Sequence, residues 1–240
     1  MIEIPSAFDE SDESKSYFVF SDIHSQATML FSALKEAGFD LENPHHYLLS
    51  LGDWTDRGLE GKALLDFLEE FIPSGRLLGV LGNHDQFLLD FADGNTSRVA
   101  FNIQHNGFKE TLGIVADHPN DFHDFKRLIE RFHDRYPHYL DWLYHLPLYL
   151  EFDHHVFVHG FLNFHLPNWR DTSKHDATWF LASEHLQFVP KDFSKQIVCG
   201  HETTYLYDYQ VKTIDKVTMI DGGAGYGQRV HVLVFDESEL

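Results

Sequence analysis

Two patterns of apolar residues run through this chain, short continuous runs and a spacing near 3.6. "SYFVFSD" (16–22) is a short aromatic and β-branched run, which predicts a strand. In the following "SQATMLFSALKEAG", Met29, Leu30, Ala33, Leu34 and Ala37 recur at helical spacing, and Gly38 is placed to end the helix. "YLLSLGD" (47–53) predicts a second strand and "LEGKALLDFLEEF" a second amphipathic helix. "RLLGVLGNHD" (76–85) predicts a third strand followed by a loop. This β-α-β-α-β alternation argues for an α/β arrangement, a mainly parallel sheet covered by helices. Residues 86–145 change character, with Phe122, Phe125, Leu128, Ile129 and Phe132 at helical spacing, and predict a helical layer or cap. After Pro147, strands return with few helices between them: "LYLEF", "HVFVHG" (155–160), "QIVCGH" (196–201), "VTMIDGG" (217–223) and "RVHVLVF" (229–235). No repeat, low-complexity tract or linker demands a second domain. The expected organisation is a flexible acidic tail over 1–15 and a single domain over 16–240.

Charge gathers where these apolar runs stop. In "LLSLGDWTDRG" (48–58), two Asp and an Arg crowd directly behind a run that looks buried. The same arrangement recurs with Asp22 and His24, with Asn83-His84-Asp85, with His159-Gly160 and with Gly200-His201. Ligands of open α/β sheets bind just beyond the carboxyl ends of strands, so residues far apart in sequence can meet there. Each fragment alone is weak: "GNHD" could be a turn, and "VHG" or "CGH" says little. Their ordered succession is the signal.

Composition narrows the chemistry. Thirty-eight acidic against 18 basic residues leave a net charge of −20, which disfavours unaided binding to nucleic acid or to an anionic membrane. Bound divalent cations would offset part of that charge, although an ordinary acidic protein would show it too. Cys199 is the one cysteine, so no internal disulfide forms. The N-terminus lacks the basic and apolar regions of a signal peptide, and no apolar run approaches the roughly 20 residues of a membrane span. A cytoplasmic location is expected. Eighteen histidines are many; His45, His46, His118, His123, His133, His138, His154 and His155 lie in polar or helical surroundings and are read as non-ligands.

Asp, Asn and His are hard or borderline ligands suited to Mn, Fe, Zn or Mg, and with one cysteine no thiolate site is offered. Two metals about 4 Å apart, sharing a carboxylate, can clamp a phosphoryl oxygen and acidify a bound water. Arg57 offers a planar fork for phosphate oxygens. His84, beside a ligand but itself free, could protonate a leaving oxygen while a carboxylate fixes its tautomer.

"SDIHSQ", "GDWTDRG", "GNHD", "VHG" and "CGH" resemble, in order, the signature of the PPP-type calcineurin-like metallophosphoesterases. "MIDGGAGYGQRVHVLVF" is similar to that family's closing segment, and "YLDWLYHLPLYLEFDHHVFVHG" to the run before its histidine. The resemblance spans residues 17–235, and the short chain looks more like bacterial protein phosphatases and symmetrical dinucleoside-tetraphosphatases than like the family's eukaryotic catalytic subunits. It implies a four-layer α-β-β-α sandwich of two sheets flanked by helices, with an insert near 86–145. It further implies two divalent metal ions, Mn2+ expected first. Asp22 and His24 would bind one metal, Asp53 would bridge, and Asn83, His159 and His201 would complete the second site. His84 would be the general acid, Asp56 its orienting partner and Arg57 a phosphate clamp; Tyr226 aligns with a family tyrosine near the phosphate. Ser21 and Ser25 stand where the family has glycines, and Ser25 is a possible helix N-cap. A second phosphate arginine is expected after the histidine motif: "NWRDT" offers Arg170, and "TWFL" only Leu181. The expected activity is that of a serine/threonine protein phosphatase using metal-activated hydroxide. The alternatives are a diadenosine-tetraphosphate hydrolase, with aromatics of 86–145 stacking a base, and a non-catalytic phosphate-binding protein. The partner is thus a phosphoprotein or a phosphorylated small molecule or nucleotide, with no nucleic acid and no membrane.

Overall fold

The structure is a computed structural model that describes residues 14–240; the acidic tail expected at 1–15 lies outside these except for its last two positions. The strands are β1 (Ser16–Phe20), β2 (His46–Ser50), β3 (Leu77–Gly79), β4 (Tyr149–Glu151), β5 (His155–Val158), β6 (Gln196–Cys199), β7 (Lys212–Ile214), β8 (Val217–Met219) and β9 (Leu233–Asp236). They make two sheets. The first has the order β3-β2-β1-β9, with β1, β2 and β3 parallel and β9 antiparallel to β1. The second has the order β4-β5-β6-β8-β7, with a parallel centre and antiparallel edges.

The period of two in β1 decides the layering. Phe18 and Phe20 face a helical core, while Tyr17 and Val19 on the opposite face meet Phe157 and Val198 of the second sheet. The helical side is built from α1 (Ala27–Glu36), α2 (Gly61–Phe71), α3 (Asn83–Ala92), α4 (Val99–His105), α5 (Phe108–Val115), α6 (Phe125–Arg135) and α7 (Pro137–Tyr144). The outer face of the second sheet, including Val156, Val158 and Ile197, is covered by the short helices α8 (Lys174–Trp179) and α9 (Ala182–His185) through Ala177 and Ala182. This is the expected mixed α/β sandwich with helices on both sides. The aromatics of 86–145 serve mainly as core: Phe91, Phe108 and Phe132 are fully buried. Among the described residues, no helix is long and apolar enough to cross a membrane.

Two local expectations change. The loop expected at "GNHD" is instead the first turn of α3, because the Asp85 carboxylate at the third helical position accepts the Gly82 N–H at 3.0 Å and caps the helix. Strand β7 carries no alternating apolar signal; it is a half-exposed edge that forms only by pairing with β8.

Trp54 anchors the crowded loop after β2. Its side chain is fully buried, edge-on to Phe20 at 5.3 Å and to Trp142 at 6.0 Å between ring centroids. Trp54→Ala should lower the unfolding free energy by about 3–5 kcal/mol, the cost of emptying a large aromatic site. Chemical denaturation measures this; a loss below about 1 kcal/mol would show that the loop is held by its polar contacts alone.

Candidate metal and phosphate site

The carboxyl ends of β1, β2, β3, β5 and β6 converge at one edge of the sandwich. A cavity of about 110 Å³ there is lined by Asp22, His24, Asp53, Arg57, Asn83, His84, His201 and Tyr226. Asn106, Trp179 and Thr203 complete the wall. His159 is fully buried behind it, its Nε2 at 2.9 Å from Asn83 Oδ1 and 3.5 Å from Asp53 Oδ1. The two sheets supply different members. Asp22, His24, Asp53 and Asn83 follow strands of the first, His159 and His201 strands of the second.

The backbone bends sharply to present these groups. Asp22, His24, Ser25, Asp53, Asp56, Arg57 and His201 all have φ between 46° and 72°, a region that side-chain-bearing residues enter at a cost. Hydrogen bonds hold them there. Asp85 accepts from the N–H groups of Asp53 (2.9 Å) and Trp54 (3.1 Å), and Asp53 Oδ1 accepts the His84 N–H at 2.9 Å. Gly82 lets these segments touch, since a β-carbon there would lie 2.5 Å from the Asp53 nitrogen.

The donor set fits divalent cations. His24 Nδ1 is 2.9 Å from the Thr55 carbonyl and His159 Nδ1 is 2.7 Å from the Leu51 carbonyl. Each ring therefore donates its Nδ1 proton to the backbone, as ligating histidines usually do, which leaves Nε2 toward the cavity in His24 and toward Asn83 and Asp53 in His159. Two groups of potential ligand atoms share Asp53: His24-Asp53-His84 and Asp53-His159-His201, each within 4.8 Å. Burial, then the charges of Asp22 and Asp85, raises the Asp53 carboxyl well above its ordinary value. Burial chiefly lowers His24 well below its own and brings His201 down to about 3. Crowded carboxylates beside neutral imidazoles call for positive charge. The Arg57 guanidinium already leans in, Nη1 at 3.1 Å from His24 Nε2 and Nη2 at 3.1 Å from His84 Nε2.

His84 stands apart from the other imidazoles. Its Nδ1 is 2.5 Å from Asp56 Oδ2, and both side chains are buried. Burial pushes the Asp56 carboxyl up to about 7, while the Thr111 hydroxyl and Arg57 act in the opposite sense. The pair thus presents His84 Nε2 to the cavity with Nδ1 engaged.

The remaining expected residues divide. Tyr226 reaches the cavity rim, its ring 5.0 Å from the Arg57 guanidinium carbon. Arg170 does not reach it: its Nε donates to Glu151 Oε2 at 2.7 Å, in a cleft shared with Trp169, Phe193 and Lys195. Ser25 is not the cap of α1. Gln26 occupies that position, and the left-handed Ser25 has a buried hydroxyl without a partner. The Glu60 carboxylate caps instead, accepting the Thr28 N–H at 2.7 Å. Nothing in the sequence around Thr111 or Asn106 marks them, whereas Trp179 lies in "TWFL" and Thr203 two residues beyond His201, both beside motifs read for other residues. Asp221 did carry a signal. It follows β8 as the other carboxylates follow their strands, and burial with the charge of Asp22 raises its carboxyl well above the ordinary range.

Known structures share this architecture. A candidate diadenosine tetraphosphatase superimposes with a TM-score of 0.62 at 16% identity, over 93% of this chain and 90% of that one. A cold-active protein-tyrosine phosphatase of a psychrophilic Shewanella species gives 0.56 at 15% identity, over 94% and 76%. A protein serine/threonine phosphatase of Saccharomyces cerevisiae gives 0.55 at 14% identity, over 94% and 81%. At these identities the likeness is one of fold. No curated protein matches by sequence. The family profile for calcineurin-like phosphoesterases matches residues 16–226, and with the cavity's ligand set inside that span, this chain belongs to the calcineurin-like phosphoesterase family.

Proposed function

We propose that this phosphoester hydrolase removes phosphate from serine and threonine side chains of proteins. The observation that carries the reading is His84, whose Nε2 faces a cavity beside the Arg57 fork while Asp56 holds Nδ1 at 2.5 Å. An alkoxide is a poor leaving group and needs such a proton donor. The cavity, about 110 Å³, suits a phosphoryl group and leaves the rest of the substrate on the outer surface, as a protein side chain would.

Asp22, His24, Asp53, Asn83, His159 and His201 would hold two divalent cations, Mn2+ first among the metals this donor set accepts. Bound there, the cations would supply Lewis acidity and an acidified water as nucleophile. Arg57 binds the phosphoryl oxygens through its planar fork. Arg57 Nη2 donates to His84 Nε2 here, and burial lowers the imidazole well below its ordinary value, so His84 would take up its proton as phosphate draws the Arg57 fork away and would pass it from Nε2 to the departing oxygen, with Asp56 keeping the ring aimed. Tyr226 packs on Arg57 and limits its swing.

One feature favours a second reading, a dinucleoside polyphosphate hydrolase. Trp179 and Tyr226 are 41% and 61% exposed at the rim of the cavity, where a base could stack. Mn-loaded protein assayed side by side on a phosphothreonine peptide and on diadenosine tetraphosphate separates the two. Faster peptide turnover supports the phosphatase. Faster nucleotide turnover, lost in Trp179→Ala, supports the alternative.

His84→Asn should lower kcat on the peptide by about 10²–10⁴-fold with the fold retained; near-wild-type turnover would remove His84 from the acid role. Asp53→Asn should raise the melting temperature of the metal-free protein, because it removes a carboxyl whose charged form is disfavoured first by burial and then by the charges of Asp22 and Asp85. The same change should abolish most of the stabilisation that saturating Mn2+ gives the wild type, about 2.7 kcal/mol at a hundredfold excess over Kd. An undiminished Mn2+ effect in Asp53→Asn, read by calorimetry, would place the metals elsewhere.

A further inference from the structure

The helical segment 86–145 enters the site at a residue with no mark in the sequence. Thr111 lies on α5, fully buried, with its hydroxyl against Asp56. Its Oγ1 accepts the Asp56 backbone N–H at 2.9 Å and donates to Asp56 Oδ1. A hydroxyl has one proton to give. Because the backbone N–H already approaches Oγ1 as a donor, that proton goes to the carboxylate. Oδ1 is therefore committed as an acceptor, and Oδ2 is turned to His84 Nδ1, 2.5 Å away. Thr111 and His84 are the side chains that bond this carboxylate.

The backbone repeats the point. Asp56 and Arg57 are consecutive left-handed residues, φ 72° and 64°. Such a pair persists only where its surroundings over-determine it. The Asp56 N–H is held by Thr111, and the Arg57 N–H donates at 3.1 Å to the carbonyl of Gly107, the N-cap of the same helix. Gly107 is itself left-handed, and a β-carbon there would stand 2.6 Å from the Arg57 nitrogen. One end of α5 thus grips both residues from outside the sheet.

We infer that Thr111 is a positioning residue for hydrolysis, fixing the Asp56 carboxylate and through it the direction of the His84 imidazole. This rests on the reading of His84 as the acid that protonates the leaving oxygen. Thr111 itself is not among the residues that line the cavity. Its effect should therefore depend on how much the leaving oxygen needs a proton, whereas damage to metal or phosphate binding would not discriminate in this way.

The experiment compares Mn-loaded wild type, Thr111→Val and Thr111→Ser on phenyl phosphate and p-nitrophenyl phosphate. The two esters differ in the basicity of the oxygen that leaves. Thr111→Val should lower kcat on phenyl phosphate by about 10–100-fold, the usual cost of a lost outer hydrogen bond at such sites, with KM little changed. On p-nitrophenyl phosphate the loss should stay within about 3-fold, because that leaving group needs little proton assistance. Thr111→Ser, which keeps the hydroxyl, should restore both. In the metal-free protein, the downfield Nδ1–H resonance of His84, assigned by its loss in His84→Asn, should move upfield in Thr111→Val and return in Thr111→Ser. If Thr111→Val does not fold, Thr111→Ala takes its place. Equal losses on both esters, no loss, or no recovery with serine would overturn the assignment. Wild-type protein inactive on both esters would overturn the hydrolase reading instead, and the resonance alone would then decide the role of Thr111.

Discussion

Buried negative charge is the constraint around which this molecule is arranged. Asp22, Asp53, Asp56, Asp85 and Asp221 are each at most 3% exposed at one edge of the sandwich. Carboxylates removed from water must be bonded or neutralised. Part of the answer is backbone: Asp85 collects three N–H groups, Asp53 the N–H of His84, Asp22 that of His201 and Asp221 that of Gly223. The remainder is left to Arg57 and to the cations that the family chemistry brings. The left-handed turns at Asp22, Asp53, Asp56 and Arg57 are the geometric consequence, since an ordinary strand end would not aim its side chains and its N–H groups into one small volume.

The same contacts tie the two sheets together. The His159 ring is within hydrogen-bond reach of the Leu51 carbonyl, and the His201 N–H donates to Asp22, so bonds formed at the site run between the layers. Behind them, Tyr17, Val19 and Leu49 meet Phe157 and Val198 in the apolar seam between the sheets. The seam sets how close the layers come, and the polar edge sets their register at the cavity. The His24-Asp53-His84 group belongs to the first sheet alone, whereas the Asp53-His159-His201 group needs both.

The helical segment contributes more than cover. Most of its aromatics fill the core against the first sheet, yet Asn106 lines the cavity and Gly107 and Thr111 hold the loop that carries Asp56 and Arg57. Exposed rings also line the opening, with Tyr226 beside the Arg57 guanidinium and Trp179 edge-on to His201. On the proposed reading the interior takes the phosphoryl group, and selectivity is expected to come from the rim.

What the sequence by itself determined is the part written in local pattern. Continuous apolar runs mark β1 and β2 and a spacing near 3.6 marks α1 and α2, because a central strand buries both faces and a helix only one, and that requirement is legible residue by residue. The ligand-type residues are legible for a related reason: Asp, His and Asn behind an apolar run have no packing role to explain them. The edge strand β7 escaped because it buries little, and the helical start at Asn83 escaped because its cap comes from Asp85 within the motif itself. Arg170 had the right residue type and the wrong place, since Glu151 and the Trp169 ring claim its guanidinium. Thr111 had the right place and no pattern, for it lies 55 residues from Asp56 in the chain. Only the tertiary structure decided those partners, because a hydrogen bond between distant segments depends on how whole layers pack and leaves no periodic trace in either segment.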